Sequence, residues 1–101
     1  MPTNAAKPPR PPAGLSPSSQ RLWKQLTREY ELDSTPQLEL LTTALRSRDL
    51  AEAARKTLAA EGLTTTDKYG RPKAHPAATI LRDQQAAFVQ VLRILGFPGA
   101  G

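Results

Sequence analysis

The stretch that decides the fold is residues 34–63, STPQLELLTTALRSRDLAEAARKTLAAEGL. It opens on Ser34-Thr35-Pro36. A hydroxyl from Ser34 or Thr35 can cap the first free N–H groups, and a proline in the first turn loses no hydrogen bond. No proline or glycine interrupts the run until Gly62, a glycine stop with Leu63 placed to pack back on the last turn. The spacing predicts one long helix over about residues 36–61. Leu40, Leu41, Ala44, Ala51 and Leu58 form its main apolar stripe, while Leu38, Leu45 and Leu50 lie off that stripe. A helix apolar on more than one side needs more than one neighbour. Arg48–Glu52 and Glu52–Lys56 are i,i+4 pairs, so most of its charge reads as internal pairing. Arg48 and Arg55 border the stripe, where acids of a neighbouring subunit would suit them.

On the C-terminal side, Leu63-Thr64-Thr65-Thr66 is the one β-leaning run. Asp67-Lys68-Tyr69-Gly70 has turn chemistry, and Arg71-Pro72-Lys73 follows. The expectation is a short β-hairpin whose second arm Pro72 confines to an edge. His75-Pro76 then starts a third helix, with His75 capping it or packing against the turn. Ile80, Ala87, Phe88, Val91, Leu92 and Leu95 share one face of that helix, and Gly96, Phe97 and Pro98 end it.

On the N-terminal side, Ser16-Pro17 is a second cap-and-proline start. Leu22, Trp23, Leu26 and Tyr30 fall on one face of this first helix, and Arg21, Lys24 and Arg28 on the opposite one. Residues 1–14 hold five prolines and no large apolar residue after Met1. They read as a disordered or polyproline-like basic arm carrying Lys7 and Arg10. Residues 15–98 read as the helical domain and residues 99–101 as a frayed tail.

Composition agrees. Of 101 residues, 39% are hydrophobic, and alanine is the commonest of them, which favours helix over sheet. The absence of cysteine excludes disulfides and thiolate metal sites, and the single histidine excludes any site needing two. No glycine-rich phosphate loop and no nucleophile–base set stands at a useful spacing, so neither an enzyme nor a cofactor is expected. Glu29, Glu31 and Asp33 sit close together but at a helix end with turn chemistry. No apolar run reaches the roughly 18 residues of a membrane span. No secretory signal is read after Met1, so no membrane partner is expected and the expected compartment is the cytoplasm.

The net charge is +5, and it is segregated. Residues 1–28 carry basic groups only, residues 29–67 are acidic on balance, and residues 68–101 are basic again. Basic ends point to an acidic partner, most simply nucleic acid. The candidate DNA contacts are Lys68, Arg71 and Lys73 on the hairpin, helped by Arg21, Lys24 and Arg28 or by Lys7 and Arg10. An ordered region of this size buries only about 60–65% of its unfolded surface. A homo-oligomer through the second and third helices is therefore expected, with Leu38, Leu45, Leu50, Arg48, Arg55 and Val89 as candidate interface residues.

Glu61-Gly62-Leu63, Tyr69-Gly70-Arg71-Pro72-Lys73, Ala74-His75-Pro76-Ala77, a helix with Arg82, and Leu95-Gly96-Phe97-Pro98 occur in an order and spacing that resembles a family of bacteriophage terminase small subunits. Leu15-Ser16-Pro17 with Leu22-Trp23 is similar to the start of that family's conserved region. Family members usually carry a further polar, arginine-containing tail, where only three residues follow Pro98 here. The resemblance implies a non-catalytic packaging adaptor, assembling as a ring in the host cytoplasm. Such an adaptor binds double-stranded viral DNA and hands it to the large terminase subunit, which carries the ATPase and nuclease. The expected fold is all-α: a short N-terminal helix and two long antiparallel helices joined by a small hairpin, in a ring-like homo-oligomer. The competing readings are a small dimeric, antitoxin-like DNA-binding regulator and a pure protein-interaction module.

Overall fold

The start and stop signals act locally, and the chain obeys them. A computed structural model describes residues 9–97. Its elements are α1 (Pro17–Glu29), α2 (Thr35–Glu61), β1 (Thr64–Thr66), β2 (Pro72–Ala74) and α3 (Pro76–Ile94). Ser16 caps α1, its Oγ accepting from Ser19 N–H at 3.1 Å. Ser34, not Thr35, caps α2: its Oγ accepts from Gln37 N–H at 3.3 Å, and the Gln37 side chain reaches back to Ser34 N–H at 3.4 Å. His75 caps α3, its Nδ1 accepting from Ala77 N–H at 3.0 Å. Nδ1 must carry a lone pair to do this, so Nε2 holds the proton and donates to Glu61 Oε1 at 2.9 Å. His75 thus both caps α3 and ties it to the end of α2.

The helix ends differ. At the end of α3, Gly96 has φ +82°, its N–H reaches Arg93 O, and Phe97 N–H reaches Leu92 O at 3.1 Å. This is a Schellman closure, and it turns Phe97 into the core. α1 closes the same way without glycine. Glu31 takes φ +52°, Leu32 N–H bonds Thr27 O at 3.0 Å, and Leu32 is buried. Gly62 behaves otherwise. Its φ of +88° comes with an extended ψ of 169°, which launches the chain into β1 instead of folding it back. Leu63, expected to pack on the last turn, is accordingly 69% exposed.

α2 and α3 lie antiparallel. Leu41 and Leu45 share one apolar cluster with Phe88, Leu92 and Leu95, while Ala54 and Leu58 share another with Ala77, Ala78 and Leu81. α1 lies across the N-terminal half of α2 and contributes Leu22, Trp23 and Leu26 to the first cluster, joined by Leu15 just before it. Trp23 is 3% exposed, and Tyr30 stacks on Phe97 with ring centroids 4.3 Å apart. α2 therefore has two neighbours, both from its own chain. That is why Leu45, which lies off the main stripe, is fully buried. On α3, Leu81 faces α2 and Ile80 is exposed, contrary to the face expected from periodicity.

A polar clasp fixes where α1 begins. Asp49 accepts from Ser16 N–H at 2.8 Å, Ser16 Oγ at 2.7 Å and Ser19 Oγ at 2.6 Å. Burial opposes ionisation of Asp49. The bonds from Ser19 and Ser16 and the charge of Arg48 outweigh it, and the carboxyl titrates below the ordinary range. Its charge also lies at the N-terminus of α1, where the helix dipole favours an anion. Upstream, Trp23 Nε1 donates to the Pro9 carbonyl at 3.3 Å, so the end of the proline-rich stretch lies against α1. The remainder of the expected arm, residues 1–8, lies outside the described residues. So does the whole of the expected tail, residues 99–101.

The clasp lies 12 residues before the end of α2, about 18 Å along the axis. Over that length, among the described residues, no third helix packs on the α2–α3 pair. The radius of gyration is 17.2 Å and the extents are 65 × 26 × 18 Å. A compact domain of this length would have a radius near 13 Å.

Candidate nucleic-acid interface

β1 and β2 pair antiparallel with Thr64 opposite Ala74, Thr65 opposite Lys73 and Thr66 opposite Pro72. Asp67-Lys68-Tyr69-Gly70-Arg71 joins them, with a turn closed by Gly70 N–H to Asp67 O at 3.0 Å and Gly70 at φ +80°. Asp67 holds this loop from within. Its Oδ1 accepts from Tyr69 N–H at 2.8 Å and Arg71 N–H at 2.9 Å, and its Oδ2 from Arg71 Nε at 3.2 Å. The Arg71 backbone bond, against a smaller cost of burial, and then the bonds from Tyr69 and the Arg71 side chain hold the Asp67 carboxyl below its usual range. The loop is thus kept in one shape by a charged acceptor that remains ionised at neutral pH.

Lys68, Arg71 and Lys73 are exposed on this hairpin. Among the described residues, neither Lys68 nor Lys73 is paired with a carboxylate. Arg71 shares its charge with Asp67, so three cations against one carboxylate leave the tip at +2. Tyr69 projects at the apex, 69% exposed, with Lys68 Nζ 5.1 Å and the Arg71 guanidinium 5.2 Å from its ring centroid. Tyr69 and Asp67 were not among the residues expected to form the site. The signal for both was local: an aspartate two residues before an aromatic and four before an arginine, with the aromatic between two cations.

Arg21, Lys24 and Arg28 are exposed on the outer face of α1, and Arg10 is exposed beside it. Because the clasp sets α1 back along α2, this stripe and the hairpin form two separate basic surfaces. Lys7 lies outside the described residues.

The candidate interface residues divide. Leu50 is 53% and Val89 37% exposed, and both remain available to a neighbour. Leu45 is not, being fully buried beneath α1 and α3. Leu38 is half-buried against the same cluster. Arg48 does not await another subunit, because α1 brings Ser18 and Ser19 to its Nη1 at 2.7 and 2.9 Å. Arg55 Nη2 binds both oxygens of Glu52, at 2.6 and 2.7 Å. This i,i+3 pair replaces the two i,i+4 pairs expected from the sequence, and Arg48 and Lys56 act on Glu52 only through their fields. Arg48, Ala51, Glu52, Arg55, Leu81, Gln85 and Phe88 line a shallow groove of about 190 Å³ just beyond α1.

Glu29, Glu31 and Asp33 do not converge, and among the described residues no three acidic or histidine side chains gather as metal ligands. No helix among them is long and apolar enough to cross a membrane. Comparison with protein-family models, with curated proteins and with solved structures finds no match.

Proposed function

We propose that this chain is a non-catalytic adaptor for packaging viral DNA, of the terminase small subunit kind. In this reading it works as a ring-like homo-oligomer in the host cytoplasm, binds double-stranded viral DNA and passes it to the large terminase subunit. The observation that carries the reading is the rigid hairpin with three exposed cations at the bare end of the helical pair. Most of the segments that resemble the family build this hairpin, cap α3 at His75 and close it at Gly96 and Phe97, and the rest begin α1. The elongated shape, with Leu50 and Val89 exposed on α2 and α3, favours lateral neighbours. α2 has 27 residues and is covered on two sides, which disfavours its use as a recognition helix and with it the dimeric-regulator reading.

DNA contact through these cations is mainly electrostatic. Each phosphate neutralised releases counterions, so affinity falls with salt by about 0.9 log unit per contact per log unit of salt. Many weak hairpins in one assembly gain by multivalency. The test is a duplex titration across a salt series, with the native mass measured in parallel. Lys68→Ala, Arg71→Ala and Lys73→Ala together should weaken binding across sequences and flatten the salt slope without changing the mass. Unchanged affinity in the triple variant, or a wild-type monomer at micromolar concentration, overturns the reading.

A further inference from the structure

We infer that Tyr69 is a stacking platform for an unstacked DNA base, so that the hairpin tip engages bases as well as phosphates. This rests on the reading of the hairpin as a DNA contact and goes beyond it by assigning the recognition of the base. Three observations meet at one residue. Tyr69 is 69% exposed at the apex of a loop and belongs to neither apolar cluster. The loop is already shaped by Asp67, through three bonds to Tyr69 and Arg71 and the 2.8 Å bond from Asp67 N–H to Arg71 O. A preformed loop loses little entropy on binding. Lys68 Nζ and the Arg71 guanidinium lie over the ring, 5.1 and 5.2 Å from its centroid, within side-chain reach of the phosphates of a nucleotide stacked there.

The magnitudes favour exchange. An exposed cation over an aromatic ring is worth about 2- to 5-fold. Base stacking on an aromatic is worth roughly 5- to 150-fold per base. A base can therefore displace one cation from the ring, and the released cation moves to a phosphate, where it serves the same complex. The hairpin is too short to read a groove by backbone pairing, with three residues in each strand. The ligand class is DNA with a base out of the stack, in a single strand or a locally opened duplex.

The experiment compares three oligonucleotides of equal length: a single strand, the same strand with abasic sites through its middle, and the full duplex. The full chain is titrated with each by fluorescence anisotropy at one low salt concentration. Tyr69→Ala should weaken binding of the base-bearing strand by about 5-fold or more, and of the abasic strand by less than about 2-fold. Tyr69→Phe, which keeps the ring, should match the wild type. The exposed position leaves the fold intact, and an unchanged circular dichroism melt verifies this. Equal losses on the base-bearing and abasic strands, or no loss on either, overturn the stacking role and leave the phosphate contacts standing. Failure of the wild type to bind any of the three overturns the DNA reading itself.

Discussion

Around Trp23 the chain is three helices deep, whereas beyond Asp49, among the described residues, α3 is the one helix packed on α2. At the first end Leu15, Trp23, Leu32, Leu41, Leu45 and Phe97 are all buried in one cluster. At the second the seam is made largely of alanine, Ala54, Ala77 and Ala78 beside Leu58 and Leu81, and Leu50 and Ile80 face outward. Each CH2 removed from water contributes about 0.8 kcal/mol, so an alanine seam stabilises far less than a leucine one. Small side chains also let helices approach closely and leave the pair slender. The thick end therefore holds the fold, and the thin end presents the hairpin and an uncovered face. Stability and proposed function are separated along one axis.

The largest test breaks the thick end. Trp23→Ala removes a side chain that is 3% exposed and should cost about 3–5 kcal/mol, a large part of a small domain's stability. Tyr69→Ala at the thin end should change stability by less than about 0.5 kcal/mol. Urea denaturation of the two variants checks both. Equal losses would mean that the hairpin is part of the cooperative core.

Next is a pair of neighbours on α2. Leu45→Glu puts a carboxylate in the core and should unfold the chain. Leu50→Glu should leave the thermal melt within about 0.5 kcal/mol of wild type. In the proposed oligomer it should, however, lower the native mass, because Leu50 is 53% exposed and is not covered by α1. A native mass unaffected by Leu50→Glu and by Val89→Glu would remove the face beyond α1 from the assembly.

This pair also shows what the sequence makes legible. Ser16, Ser34, His75, Gly62 and Gly96 act on groups within a turn of themselves, so helix bounds and the hairpin follow from local chemistry. Leu45 and Ile80 do not, because which flank of a helix is inside depends on where α1 lands. Arg48 reads as a partner for Glu52 or for a neighbouring subunit's acids until Ser18 and Ser19, some 30 residues earlier, are brought to it. Asp49 is similarly silent, since its partners are serines that already announce themselves as a helix start. Tyr69 is the reverse case. Its two cations are its sequence neighbours, and the signal was present but overshadowed by them.

The clasp that ends the thick region gives a pH test. A carboxyl held below its ordinary value lends stability above the unfolded value and loses it as pH falls through the folded one. For Asp49 that loss begins as pH drops below the ordinary aspartate value of 3.8. Asp49→Asn should cost about 1–2 kcal/mol at neutral pH through weakened bonds from Ser16 and Ser19. Its acid denaturation should be correspondingly shallower than that of the wild type. Identical acid profiles would show that α1 docks through Trp23 and its neighbours alone.

The smallest effect is a gain, and it asks how rigidly the thick end is closed. Glu31 occupies the left-handed region at φ +52°, where a side chain costs about 1 kcal/mol relative to the right-handed basin. The conformation is enforced because Leu32 must turn into the core and its N–H must reach Thr27 O. Glycine adopts it without steric cost, though it gives back part of the gain in chain entropy. Glu31→Gly should therefore stabilise the chain by about 0.5 kcal/mol, seen as a small rise in the urea midpoint with an unchanged slope. The same change at an ordinary helix position would destabilise by a similar amount, so the sign alone is diagnostic. A fall in the midpoint would mean that α1 does not end in this closure. Leu32, and with it the seating of Trp23, would then be held by apolar contact rather than by the turn.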